Sequence, residues 1–121
     1  MKKSNLISSF KYAFIGVFST IKLERNMKIH LLITSLVIIF GVILKISITE
    51  WFVCLILIGL VTSAECINTS IERTVDIISP TRSENAKIAK DTAAGAVLIL
   101  AIISFIIGII IFLPKIFILL K

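Results

Sequence analysis

The sequence is poor in residues on which much soluble chemistry depends. Among 121 residues it has one histidine (His30), two cysteines, two prolines and five glycines. A single histidine nearly excludes His-based metal centres and triads. Cys54 and Cys66 lie twelve positions apart in one apolar segment. A helix would hold them about 18 Å apart along its axis, beyond disulfide reach. They therefore read as small core residues and say nothing about redox compartment. Gly16, Gly41, Gly59, Gly95 and Gly108 stand singly, so no glycine-rich phosphate loop exists and a Walker-type kinase is excluded. No cleavable leader is expected either. The first twenty-eight residues are basic but lack a long apolar centre and a small-residue cleavage site, and the N-terminus is expected to be retained.

Acidic residues are also scarce, seven against thirteen basic ones, for a formal net charge of +6. No basic run is interleaved with aromatics, which argues against a nucleic-acid partner. What the chain has instead is apolar surface. Its hydrophobic content of 58% and mean hydropathy of +1.10 are too high for a soluble domain of one core. The length allows one domain, 1–121, set in a bilayer.

Taken in order, residues 4–23 read as an amphipathic helix. Leu6, Ile7, Phe10, Phe14, Val17, Phe18 and Ile21 form its apolar stripe, with Lys2, Lys3 and Lys11 nearby. Such a helix suits an anionic membrane surface, or equally a face of the protein itself. Tyr12, Gly16 and Ser19 share another face, either solvated or a flat aromatic beside bare backbone where a base could lie. A charged collar, Lys22 to Lys28, precedes a first span over 28–45 whose interior polar residues are His30, Thr34 and Ser35. His30 reads as an interfacial hydrogen-bonder. After a short connection, Trp51 anchors a second helix, 51–78. Pro80 and a polar turn separate it from a third, 85–113, which Pro114 and Lys115 are expected to end. Ala93-Ala94-Gly95-Ala96 near its start is small enough for close helix approach. Six of the thirteen basic residues lie in 1–28 and four in 73–90. Both regions are therefore expected on the cytoplasmic side.

The second span contains the costliest residues. Its uncharged part, Trp51 to Ala64, is too short to cross, so the helix must continue into Glu65-Cys66-Ile67-Asn68-Thr69-Ser70-Ile71-Glu72-Arg73-Thr74-Val75-Asp76. At 100° per residue, Glu65, Asn68, Glu72 and Asp76 fall on one stripe. A carboxylate near hydrocarbon costs about 2.5–3.5 kcal/mol on insertion scales. With Glu24 and Lys90-Asp91, this stripe gathers at the cytoplasmic interface. Carboxylates, an amide and a lysine there suit phosphoryl transfer from a metal-bound nucleotide. The same acids equally suit a small oligomeric proton or ion pathway. A structural membrane protein without chemistry would leave the expense of Glu65 unexplained.

The pattern Glu65-x-x-Asn68-Thr69-x-Ile71-Glu72-x-x-x-Asp76, followed by Ala89-Lys90-Asp91-x-Ala93-Ala94-Gly95-Ala96-Val97, closely resembles the prokaryotic membrane-integral diacylglycerol kinase/undecaprenol kinase family. Phe10-Lys11-Tyr12-Ala13-Phe14-x-Gly16 and Glu24-Arg25-Asn26 extend the resemblance over nearly the whole chain. It implies an all-α integral membrane homotrimer, each protomer with a surface helix and three transmembrane helices, and active sites shared between subunits. By similarity, Glu65 is the base for the lipid hydroxyl. Glu24 and Glu72 hold Mg2+ on the ATP phosphates with Asn68 nearby, and Lys90 contacts the phosphates. Asp76 and Asp91 complete the polar network, although each could instead cap or pair at a helix end. Tyr12, beside Gly16, matches the aromatic that lies against adenine. Ser83 stands where relatives commonly carry a histidine, which leaves any nucleotide contact by that loop open. The stretch 82–97 and the ending Ile109 to Lys115 look more like the Gram-positive-type undecaprenol kinases. Undecaprenol is therefore the expected membrane lipid alcohol, with diacylglycerol as the alternative.

Overall fold

The computed structural model describes residues 5–81 and 83–121. Lys2, Lys3, Ser4 and Arg82, used above for the surface helix and the polar turn, lie outside the described residues. Four helices follow one another: α1 (Leu6–Leu23), α2 (Arg25–Ile43), α3 (Ile48–Ile78) and α4 (Glu84–Leu120). No strand occurs among the described residues. Each helix is long and apolar enough to cross a membrane.

Local chemistry sets the breaks. Asn5 caps α1, its Oδ1 accepting from the Ser8 amide at 2.8 Å. A single extended residue, Glu24 (φ −104°, ψ 121°), separates α1 from α2, and its N–H still donates to the Thr20 carbonyl. Ser47 and Glu50 form a reciprocal capping box that starts α3 before Trp51, so the α2–α3 connection is shorter than the sequence implied. Ser83 caps α4 by accepting from the Ala86 amide at 3.1 Å. That is a structural role for the residue that replaces the family's histidine.

The α2–α3 corner is the tightest turn. Lys45 takes a left-handed conformation (φ 52°), and the Ile46 amide reaches back to the Gly41 carbonyl at 3.2 Å. This closes α2 as a glycine-type C-cap would, at a steric cost for lysine. Gly41 is needed here for space: a Cβ on it would sit 2.6 Å from the Trp51 ring and 3.2 Å from Ile46. Ile46, Cys54 and Ile111 form the small buried cluster beside this corner, with Val37, Trp51, Val53, Ile107 and Phe112 packed on it.

The fourth helix departs from expectation. Pro114 does not end it; α4 continues to Leu120. Proline removes one backbone donor, but membrane helices tolerate this where the neighbouring structure compensates. Lys115, just past the proline, is tied to Glu50 at 3.1 Å, which holds the last turns against the start of α3. At the other end of the pair, Lys90 on α4 meets Asp76 on α3. The twenty-five steps from Lys90 to Lys115 and the twenty-six from Glu50 to Asp76 each rise about 38 Å. The α3–α4 hairpin is thus antiparallel and in register, an ion pair at each end and mostly apolar residues between.

α3 and α4 make the most extensive helix pair, α2 packs mainly on α3, and α1 touches α2 and α3. Most large apolar side chains remain uncovered, among them Leu32, Phe52, Ile56, Leu98 and Phe105. A single chain with so few buried apolar residues has its apolar surface matched to lipid or to other copies rather than to water.

The corner gives a paired test. Gly41→Ala should be destabilising, because overpacking costs about 1–3 kcal/mol against a helix-preference gain of about 0.5–1 kcal/mol. Gly59→Ala, whose added methyl meets nothing within 4 Å, should keep only the gain. Thermal loss of helicity in detergent compares the two, and equal midpoints would contradict the close approach of Trp51.

Candidate active site

The polar stripe of α3 passes from buried to exposed as it approaches the helix end. Glu65 is 1% exposed, Asn68 and Thr69 are buried, Glu72 is half-buried and Asp76 is exposed. α3 has 31 residues and runs about 46 Å against about 30 Å of hydrocarbon. The stripe's outer end therefore reaches water while Glu65 stays within the helix packing.

Three groups of side chains are assembled there. In the deepest, Glu65 Oε2 lies 3.6 Å from Nε2 of His30 on α2. One turn on, the Asn68 amide donates to Glu72 Oε1 at 3.0 Å. Glu65 Oε2, Asn68 Oδ1 and Thr69 Oγ1 are out of contact with solvent and have no hydrogen-bond partner. Buried oxygens without donors are costly and rare, and three on adjacent turns mark a site built for something else to fill.

The second group joins the collar to the stripe. Glu24, at the α1–α2 break, lies 3.6 Å from Arg73 on α3, the residue next to Glu72. The third is the Asp76–Lys90 pair across α3 and α4. Asp91 does not join these acids: it is held at 2.8 Å by Lys87, one turn earlier on the exposed side of α4. A cleft of about 590 Å³ is lined by Asp76, Ser79, Thr81, Ser83, Lys87 and Lys90. A second groove, of about 480 Å³, runs between α1 and α3 past Gly16, Thr20, Thr69, Ser70 and Arg73. Gly16 thus fronts the α3 stripe. Tyr12 is 64% exposed and does not line that groove.

The sequence reading underrated His30, Arg73, Lys87 and Thr69. The signal for His30 was available: a lone imidazole one turn inside an apolar span. The others are partners of named acids or of the buried stripe, and only packing identifies them. Among the described residues no three His, Cys, Asp or Glu side chains cluster as a metal site. A cage made by one chain is thus not present, whereas two carboxylates and an amide oxygen are enough for a cation that shares phosphate oxygens. Apart from Glu50, which pairs with Lys115 at the opposite end, the acids lie from the middle of α3 toward one end of the bundle, unlike a chain of acids crossing the membrane.

A profile of the prokaryotic diacylglycerol kinase family matches residues 11–112. The chain belongs to the prokaryotic diacylglycerol kinase family. It is 45% identical over 112 residues to the undecaprenol kinase of Bacillus subtilis, covering 93% of this chain and 91% of that protein. It is 39% identical over 105 residues to the diacylglycerol kinase of Synechocystis sp., covering 86% of this chain and 60% of that longer protein. For a member of this kinase family, the buried stripe and its flanking lysines constitute the candidate active site.

The exposed pairs should contribute little to holding the helices together. A double-mutant cycle on Asp76→Ala and Lys90→Ala should give a stability coupling of about 0–1 kcal/mol, the range for solvent-accessible ion pairs. Chemical unfolding in detergent measures it. A coupling well above that range would make the pair a structural clamp.

Proposed function

We propose that this protein is an ATP- and Mg2+-dependent lipid kinase of the cell membrane that transfers the γ-phosphoryl group of ATP to the hydroxyl of undecaprenol. The observation that carries the reading is the buried Glu65 carboxylate, 3.6 Å from a single imidazole and with one oxygen lacking any donor. It lies in a family member 45% identical to an undecaprenol kinase. With Oε2 turned toward the imidazole, the other oxygen, Oε1, is the one left to accept a proton from a hydroxyl brought to it through the lipid.

The lipid oxygen attacks the γ-phosphorus as the bond to the β–γ bridging oxygen breaks. Glu65 receives the hydroxyl proton, and ADP leaves. Lys90 supplies positive charge to the phosphates, with Asp76 holding its ammonium in place when no nucleotide is bound. Asn68 fixes the Glu72 carboxylate by its amide hydrogen bond. The hard oxygen donors Glu24, Glu72 and the unpartnered Oδ1 of Asn68, whose amide is bonded to Glu72, are of the kind that suits Mg2+, which would neutralise phosphate charge and orient the nucleotide. Asp91, held on Lys87, serves the outer rim. Tyr12 and Gly16 on α1 offer a flat ring and a bare backbone for the adenine.

In this reading α1 lies on the membrane surface and α2, α3 and α4 cross it as a single domain, with the N-terminus and the active site cytoplasmic. Lys115, which opposes that orientation by charge, is neutralised by Glu50. The uncovered apolar faces and the open side of the stripe favour a homotrimer with sites shared between subunits. Diacylglycerol is the second candidate substrate, favoured by the name of the Synechocystis relative. Both lipids present a primary hydroxyl at the interface, and the residues named here act on that group alone.

Purified protein incubated with labelled ATP, Mg2+ and each lipid alcohol separately should label undecaprenol in preference to diacylglycerol. Label in neither product would sink the kinase assignment. Glu65→Gln should lower kcat by about 10²- to 10⁴-fold, the usual worth of general-base catalysis, while nucleotide binding survives. Glu72→Gln should instead weaken Mg2+-dependent ATP binding, read by equilibrium titration with and without the cation.

A further inference from the structure

We infer that His30 is a positioning residue for the base: its Nε2–H holds Oε2 of Glu65, so that Oε1 is the oxygen that takes the lipid proton. The inference rests on Glu65 being the base, as proposed above. Three observations carry it. The His30 side chain is 15% exposed and that of Glu65 2% exposed, so the two meet largely out of water. Their Nε2–Oε2 separation is 3.6 Å, one small side-chain adjustment from a hydrogen bond. Glu65 Oε2 has no hydrogen-bond partner, His30 Nε2 is the nitrogen that faces it, and the amide one turn along, on Asn68, is committed to Glu72.

An imidazole with a proton on Nε2 suits this role, since that N–H can donate to one carboxylate oxygen and leave the other open. A carboxylate can rotate about its last side-chain bond, and an unanchored one spends its time in orientations that do not face the substrate. Anchoring one oxygen leaves the other aimed, which acts on the transition state more than on binding of either substrate. The arrangement also accounts for a polar ring placed inside an otherwise apolar stretch of α2, from Ile29 to Ile33. During transfer, the oxygen–phosphorus bond forms as the bridging bond breaks and the proton moves from lipid oxygen to Oε1. His30 keeps its own proton throughout.

The test compares wild type, His30→Phe, His30→Gln and Glu65→Gln as purified full-length enzymes in lipid micelles, with helicity and oligomeric state measured for each. His30→Phe keeps a ring of similar size and removes the donor. It should lower kcat about ten- to a hundredfold, as expected for a misplaced catalytic group, with KM for ATP unchanged. His30→Gln, which restores an N–H donor, should recover most of that loss. A His30→Phe enzyme with normal kcat overturns the inference. So does equal loss in His30→Phe and His30→Gln, or a loss that tracks the fraction of unfolded protein. An inactive wild type, or a Glu65→Gln enzyme that turns over normally, would instead overturn the proposed reaction. Normal turnover by His30→Phe beside an inactive Glu65→Gln would remove only the positioning role.

Discussion

A carboxylate buried among helices that expose little except hydrocarbon side chains is the constraint around which this protein is arranged. Glu65 is 1% exposed, and an uncompensated charge in such surroundings is expensive. The expense is moderated by position. Glu65 lies just past the middle of a helix longer than the hydrocarbon is thick, and the stripe that begins with it runs from buried at Asn68 and Thr69 to exposed at Asp76. His30 from the neighbouring helix faces it, and Asn68 and Glu72 continue the polar face outward. The stripe is therefore a gradient, buried at one end and open to water at the other.

The rest of the fold serves to hold that gradient in register. The α3–α4 hairpin has an ion pair at each end and close apolar packing near the α2–α3 corner, where Trp51 lies over Gly41. The corner relies on steric fit rather than on area, since few residues of a single chain are buried. Glu24, isolated between α1 and α2, reaches Arg73 beside the stripe only because the chain breaks there by one extended residue. The break that separates two helices thus also brings a carboxylate next to the polar stripe of α3.

Family membership and geometry bear on different parts of the account. The match over residues 11–112 fixes the class of chemistry, and the structure says how this chain's own side chains are placed for it. Of the residues to which the resemblance gives roles, Glu65, Asn68 and Glu72 lie along one face of α3 that runs from buried to half-buried, and Lys90 pairs with Asp76. Asp91 is engaged with Lys87, and Tyr12 stands clear of the groove lined by Gly16.

The sequence alone determined the helical class, the membrane setting and the face on which the acids lie. Helical period and hydropathy are local properties, and a three- or four-residue step places a side chain whatever the helix packs against. It also located the helix breaks closely, except that Pro114 was expected to stop α4. The error has a physical origin: proline weakens a helix from within, but whether the helix stops depends on what supports the turns beyond, here Lys115 on Glu50. Tertiary structure alone decided which residues meet across helices. His30 opposite Glu65, Arg73 with Glu24, and Lys90 with Asp76 rather than Asp91 are separated by eleven or more positions. No periodicity carries information across a turn. The stripe was legible because one helix makes it; its partners were not, because packing brings them.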